Sequence, residues 1–77
     1  MTQKNMAEVA ALAAKVLNLP PHEVGVDASM ETVTEWDSLA HLNICLAFQE
    51  RFGVTMNMET IAHSTSVAAL AELLPPA

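Results

Sequence analysis

The apolar residues between Leu39 and Phe52 recur at helical spacing on two opposite sides, and this double pattern constrains the fold most strongly. At 3.6 residues per turn, one side carries His41, Ile44, Cys45, Phe48 and Phe52, and the other carries Leu39, Leu42, Asn43, Leu46 and Glu50. We expect the first side to face the core and the leucine side to border a ligand channel or a partner. A central helix with neighbours on both sides would give the same periodicity, so the pattern alone leaves both open.

The two ends of this helix carry recognisable signals. Asp37 or Ser38 stands directly before the apolar run, where a helix N-cap is expected. Gly53 follows the run and can adopt the left-handed conformation that ends helices. The Ser38 hydroxyl would therefore lie beside free backbone N–H groups, which favour a phosphate ester there. A serine that only caps the helix would have the same placement.

The N-terminal half of the chain predicts one helix and one long connection. Thr2 can cap a helix from about residue 3 to residue 17, with the apolar stripe Met6, Val9, Ala10, Ala13, Val16 and Leu17. Residues 19–36 contain Pro20, Pro21 and Gly25, which leave room for one short turn over residues 21–24. The residues expected to attach this connection to the core are Val24, Val26, Met30 and Val33, with Trp36 partly buried where it closes against the bundle.

The C-terminal part predicts two shorter helices. Val54 and Met56 are expected to pack inward after the long helix. Asn57 can cap a short helix to residue 61 or 62, with Met58 and Ile61 as its apolar contacts. A last helix is predicted to start at Thr65 or Ser66 and to run to Leu74, with an apolar stripe of Val67, Leu70, Leu73 and Leu74.

Length and composition favour one small helical domain. The 77 residues predict a single domain over 1–77. Hydrophobic residues make up 52% of the chain, yet only Trp36, Phe48 and Phe52 are aromatic, so aliphatic side chains and alanines must build the core. Alternating strand-type runs are missing from the sequence. We therefore predict an all-α fold, a small four-helix bundle of three main helices and one short one, with a long loop between helices 1 and 2.

Charge excludes some functions. The net charge is −6 with three basic residues, which argues against nucleic-acid binding and suits basic protein partners.

Cys45 is the single cysteine, so no intrachain disulfide can form, and we expect a buried, inert thiol. No apolar run is long enough to span a bilayer, and Glu8 and Lys15 interrupt any signal-peptide pattern. We expect a cytoplasmic monomer.

Two enzymatic alternatives are weak. His22, His41, Cys45 and His63 lack the close spacing of a zinc site, so we predict no metal. Ser38 and His41 stand three residues apart, and a nucleophile–base pair with Asp37 as the third member is conceivable. Nothing in the sequence suggests an oxyanion hole or a substrate cleft. We therefore predict no catalytic residue and no enzyme.

The triplet Asp37-Ser38-Leu39, followed by a helix that ends Phe-Gln-Glu-Arg-Phe-Gly over residues 48–53, resembles an acyl carrier protein. The resemblance covers nearly the whole chain in its order of helices and loop. It implies that Ser38 carries a 4′-phosphopantetheine arm through a phosphodiester, installed from coenzyme A by a phosphopantetheinyl transferase. It also implies that the arm holds an acyl group as a thioester, and that loading and transfer enzymes visit the protein.

The resemblance further implies a partner surface on the exposed part of the second helix: Asp37, Leu39, Leu42, Asn43, Leu46 and Glu50. Carriers of primary fatty-acid synthesis look strongly acidic along this helix, whereas here Glu50 is its only acid. This departure favours a dedicated lipid, polyketide or other secondary biosynthetic pathway. An aminoacyl or peptidyl carrier protein is the first alternative, and an unmodified helical adaptor that binds a protein partner is the second.

Overall fold

The computed structural model describes residues 2–74, which form four α-helices: α1 (Thr2–Leu17), α2 (Ser38–Phe52), α3 (Met58–His63) and α4 (Val67–Ala71). A 3₁₀ turn at Pro21–Glu23 interrupts the long connection between α1 and α2, as predicted. This part of the chain contains no strand, only one isolated antiparallel bridge between Ser29 and Ser66. The predicted all-α, four-helix architecture is confirmed.

Helix α1 packs against both α2 and α4 through a face of small residues. Val9, Ala10, Ala13 and Ala14 are buried on this face, and the alanines let neighbouring helices approach closely. The helix begins at Thr2, one residue earlier than predicted, so Thr2 is its first residue and not a cap before residue 3.

Helix α1 ends in a Schellman motif. Asn18 has a left-handed backbone with φ 60°. The Leu19 N–H donates to the Ala14 carbonyl at 2.9 Å, and the Asn18 N–H donates to the Lys15 carbonyl at 3.2 Å. Asparagine tolerates this conformation better than most residues do. The predicted end of the helix at residue 17 is thereby confirmed, and these bonds explain it.

The long connection is tied to α4 by backbone hydrogen bonds. The Met30 N–H donates to the Thr65 carbonyl and the Val67 N–H donates to the Ala28 carbonyl, each at 3.0 Å. Of the side chains predicted to attach it, Val24 and Val33 are buried and Met30 is partly buried.

The prediction for Val26 is wrong, because this side chain is exposed. Val26 occupies a corner of the tight turn that the Ala28 N–H closes on the Gly25 carbonyl at 3.1 Å. Corner side chains of such a turn point away from the chain that it reverses, so Val24 and Ala28 take the inward positions.

Helix α2 ends at Gly53, whose φ of 71° confirms the predicted left-handed cap. Gln49 fixes the segment that follows, since its side-chain oxygen accepts the Met56 N–H at 3.0 Å. Met56 is buried and Val54 packs against the core, as predicted.

The last two helices start where the sequence predicted. Asn57 caps α3 by accepting the Thr60 N–H at 2.8 Å, and Ser66 caps α4 by accepting the Ala69 N–H at 3.0 Å. Helix α4 ends at Ala71, three residues before the predicted end at residue 74. Residues 73 and 74 instead make i→i−3 backbone bonds, so the helix tightens into 3₁₀-type turns.

Met58 corrects the prediction that it would fill the core. It is the first residue of α3, and 81% of its surface is exposed. Met56 before the helix and Ile61 within it pack against the core instead. A six-residue helix has room for few inward positions, and the first turn of α3 faces away from the bundle.

Candidate functional site

Ser38 is the first residue of α2, and its side chain is exposed. Asp37 before it has an extended backbone, and its Oδ1 accepts the Ala40 N–H at 2.8 Å. The Asp37 carbonyl also accepts the His41 N–H at 2.8 Å. Asp37 is therefore the N-cap, and Ser38 is not. The Ser38 hydroxyl stays outside the cap, next to first-turn N–H groups that have no acceptor within the helix.

The other serines occupy structural positions. The chain has four serines, all of them within residues 2–74, and among these Ser38 alone is exposed. The Ser29 Oγ accepts the Glu31 N–H at 3.2 Å, and the Ser66 Oγ caps α4. Ser64 is buried, with 5% of its surface exposed. Access therefore separates Ser38 from every other serine of the chain.

The Asp37 cap predicts a stability change. Asp37→Ala is expected to lower the free energy of unfolding by about 1 kcal/mol, because it removes the acceptor for a first-turn N–H. For a domain of this size that corresponds to a melting temperature lower by roughly 4–8 °C. Asp37→Asn is the matched control, since asparagine caps as well as aspartate does. Thermal unfolding of both variants checks this, and an equal loss in both would show that charge and not capping matters.

Behind Ser38, Trp36 and His41 form a buried hydrogen-bonded pair. The Trp36 indole N–H donates to His41 Nδ1 at 3.0 Å. Because Nδ1 accepts, the ring proton lies on Nε2, which donates to the Ile61 carbonyl at 2.7 Å. His41 thus joins the loop, α2 and α3. Trp36 is 1% exposed, so it is fully buried and not partly buried as predicted, because its polar N–H has an acceptor inside the fold.

This bonding leaves His41 unavailable to Ser38. Both ring nitrogens are engaged, and the residue is buried with 5% of its surface exposed. The Asp37 carboxylate caps α2 and does not contact the imidazole. The nucleophile–base arrangement considered from the sequence is therefore not formed.

Within residues 2–74, no group of three or more His, Cys, Asp and Glu side chains could hold a metal ion.

Cys45 lies on the same buried face. It is fully buried, and its Sγ lies 3.5 Å from His41 Nε2. Burial raises the pKa of the Cys45 thiol from an ordinary value of 9.0 to about 11, because desolvation disfavours the thiolate. The predicted buried, inert thiol agrees with this placement.

The raised thiol pKa predicts a loss of stability at alkaline pH. The unfolded chain releases the thiol proton near pH 9.0, whereas the folded chain holds it until about pH 11. The neutral thiol therefore makes its full contribution to the free energy of unfolding below pH 9.0. As the pH rises toward 11, the free energy of unfolding falls by roughly 2 kcal/mol. Urea unfolding at several pH values checks this against Cys45→Ala. A variant that loses stability as steeply as the parent would contradict the assignment to Cys45.

The leucine side of α2 faces solvent. Leu39 is 70%, Leu42 43% and Leu46 58% exposed, and Asn43 and Glu50 are exposed on the same side. The opposite side, with Ile44 and Phe48, is buried. The alternative of a central helix with neighbours on both sides is therefore wrong.

A groove of about 600 Å³ lies between α1 and α2 at the end remote from Ser38. Its lining residues are Leu12, Lys15, Val16, Ala47, Glu50 and Arg51. Arg51 also pairs with Glu8 at 3.6 Å. Ser38 and Arg51 are thirteen positions apart in α2, which is about 20 Å along the helix axis. The groove therefore does not adjoin the exposed serine.

None of the helices within residues 2–74 is sufficiently long and apolar to cross a membrane.

Comparison with known protein families gives one result. The family model described as the phosphopantetheine attachment site matches residues 7–74, which is most of the chain. Comparisons with curated proteins and with solved structures gave no significant match. The matched span includes all of α2, α3 and α4 and the exposed serine at the start of α2.

Proposed function

The chain belongs to the phosphopantetheine attachment site family, and from this membership we propose that it carries acyl intermediates on an arm joined to Ser38. Domains of this family are the site of covalent 4′-phosphopantetheine attachment, and they are generally carriers without catalysis of their own. When bound, the arm supplies a terminal thiol that holds an acyl group as a thioester. The protein contributes presentation and recognition.

One observation carries the assignment to Ser38: among the serines in the described part of the chain it alone is exposed, and its hydroxyl is free of the helix cap. The chemistry of the position fits the group. A phosphodiester on this oxygen would lie at the positive end of α2, beside N–H groups that lack acceptors. Asp37 holds the start of the helix, so the cap survives modification.

Attachment requires a displacement at phosphorus in which the serine oxygen is the nucleophile. In the active site of a phosphopantetheinyl transferase, Ser38 Oγ forms a bond to the pantetheine-side phosphorus of coenzyme A. The bond from that phosphorus to the bridging oxygen breaks, and adenosine 3′,5′-bisphosphate leaves with its electron pair. The hydroxyl proton passes to a base of the transferase, because His41 is buried and engaged elsewhere.

We place the protein in a dedicated lipid, polyketide or other secondary pathway. The support is the surface beside Ser38: the exposed side of α2 offers leucines and Asn43, with acids only at Asp37 before it and Glu50 near its end. Those six residues form the proposed contact surface for loading and transfer enzymes: Asp37, Leu39, Leu42, Asn43, Leu46 and Glu50. Enzymes that recognise an acidic helix would find few carboxylates here.

Intact-mass spectrometry tests the proposal. Incubation with coenzyme A and a broad-specificity phosphopantetheinyl transferase is expected to add the mass of one phosphopantetheine to the parent chain and none to Ser38→Ala. Thr55→Ala, at another exposed position, is the matched control and should load like the parent. An unmodified parent chain that is folded by circular dichroism, beside a known carrier modified in parallel, would refute the carrier function.

A further inference from the structure

The groove between α1 and α2 brings together two of the three basic residues of an acidic chain. Lys15 and Arg51 both line it, although the net charge is −6. Arg51 contacts Glu8 at 3.6 Å, but the two side chains are 61% and 40% exposed, so solvent weakens this ion pair. Lys15 is exposed and forms no ion pair with a carboxylate of residues 2–74. The groove therefore offers an unpaired ammonium and a weakly paired guanidinium to an anion.

The rest of the lining is mostly apolar. Leu12, Val16 and Ala47 supply this part, and the methylene stems of the two basic residues extend it. Glu50 also lines the groove, but it is exposed, so its carboxylate stays hydrated. The volume of about 600 Å³ is typical of sites for small molecules. This combination suits a ligand with an apolar body and one negatively charged end.

A row of α2 side chains leads from Ser38 to this groove. Helix residues spaced by four positions form rows inclined slightly to the axis. One such row runs through Leu39, Asn43, Ala47 and Arg51. It starts beside Ser38, and its last two residues line the groove. Leu39 and Asn43 are exposed, so a group joined to Ser38 can follow the row without entering the core.

The length of the row matches the reach of the arm proposed on Ser38. About fourteen bonds join the serine oxygen to the terminal sulfur of 4′-phosphopantetheine, and each bond of an extended chain adds about 1.2 Å, which gives about 17 Å. Ala47 and Arg51 lie nine and thirteen positions after Ser38, about 14 Å and about 20 Å along the helix axis. An extended arm along the row therefore ends between these two residues, at the groove.

We propose that the groove between α1 and α2 binds the acyl group carried on Ser38, and that this acyl group ends in a carboxylate. The inference rests on the proposed function and specifies its substrate class. The apolar lining holds the methylene part of the cargo, while Lys15 and Arg51 hold the carboxylate through charge-assisted hydrogen bonds. Arg51 can exchange its exposed partner Glu8 for the carboxylate of the cargo at little cost.

The core is a poor alternative site for such cargo. On the buried side of α2, His41 Nε2 donates to the Ile61 carbonyl at 2.7 Å, and entry from α3 would break this bond. Ile44 and Phe48 occupy that side with no exposed surface. The buried residues of the described part of the chain include no lysine or arginine. A carboxylate in the core would therefore lose its hydration without gaining a cation.

Amide chemical shifts in heteronuclear NMR spectra test the proposal without relying on any activity of the loaded protein. A broad-specificity phosphopantetheinyl transferase loads Ser38 from coenzyme A, hexanoyl-coenzyme A or adipoyl-coenzyme A. The two acyl groups have equal length and differ in the terminal carboxylate. Relative to the bare arm, adipoyl should shift the amides of Leu12, Lys15 and Ala47 at least about twice as far as hexanoyl does, because an exposed ion pair raises the bound-to-free ratio by up to about fivefold.

Lys15→Met keeps an apolar stem and removes the charge, so it should reduce the adipoyl-dependent shifts to about the hexanoyl level. Thr55→Glu is the matched control, because it changes the net charge by the same amount at an exposed site outside the groove. This control should behave like the parent. About 500 mM NaCl should weaken the adipoyl-dependent shifts, because salt screens exposed charges.

Three results would overturn the inference. Shifts confined to the residues beside Ser38 or to α3 would place the cargo outside the groove. Equal shifts with hexanoyl and adipoyl, unchanged by Lys15→Met, would show that the terminal carboxylate is not recognised. Equal shifts on adding free adipate to the unmodified chain would make a free dicarboxylate the ligand. Failure of the proposed function looks different, because intact-mass spectrometry would then show no loading from any of these donors.

Discussion

Replacing Trp36 with alanine is expected to lower the free energy of unfolding by about 3–5 kcal/mol. The indole is the largest fully buried side chain of the fold, and its removal leaves a cavity beside α2. It also leaves His41 Nδ1 without its donor. A domain of this size has roughly 4–12 kcal/mol of total stability, so the variant loses a large part of it.

Urea unfolding followed by far-ultraviolet circular dichroism measures this loss, since the variant has no tryptophan fluorescence. Leu39→Ala is the control for truncation outside the core: it shortens an apolar side chain at a 70% exposed site and should change stability by less than about 0.5 kcal/mol. Trp36→Phe removes the N–H donor but keeps a buried aromatic ring, so its effect is closer to that of the hydrogen bond alone. A loss below about 1 kcal/mol for Trp36→Ala would contradict the complete burial of the indole in the core.

Replacing His41 with alanine is expected to cost about 3 kcal/mol. The substitution leaves the Trp36 N–H and the Ile61 carbonyl without partners and opens a small cavity. Because the bond to Ile61 connects α2 to α3, the loss should be uneven along the chain. We expect amide exchange to quicken more in residues 58–63 than in α1.

Hydrogen exchange followed by mass spectrometry locates this effect. His63→Ala is the matched control, because His63 is exposed and should leave exchange in α3 nearly unchanged. Equal acceleration across α1 and α3 would show that His41 contributes to the core as a whole and does not specifically hold α3.

Local chemistry made much of the fold predictable from the sequence. The caps at Asn57 and Ser66 and the left-handed Gly53 depend on one residue and its immediate neighbours, and all three are confirmed. The core side of α2 followed from helical spacing. The directions of Val26 and Met58 did not, because a side chain at a turn corner or in a first helical turn is oriented by the surrounding fold.

The start of α2 was predictable in position and not in detail. The sequence placed Asp37 or Ser38 at the cap, and the structure assigns the cap to Asp37. The Trp36–His41 pair was missed, because its members lie five residues apart across the start of a helix, outside the spacings that bring side chains together on one helix face. The need of a buried indole N–H for an acceptor was the signal that could have found it.

The identities of the cargo and of the partner enzymes depend on surfaces outside this chain. Attachment of the arm is the property of this chain that can be tested most directly. Fragmentation of the intact protein in a mass spectrometer, after loading with coenzyme A and the transferase, locates the added mass. The carrier account predicts that every fragment containing Ser38 carries one phosphopantetheine and that fragments ending at Asp37 or starting at Leu39 carry none. Added mass on a fragment that holds only Ser29, Ser64 or Ser66 would contradict the proposal that the arm is attached to the exposed hydroxyl of Ser38.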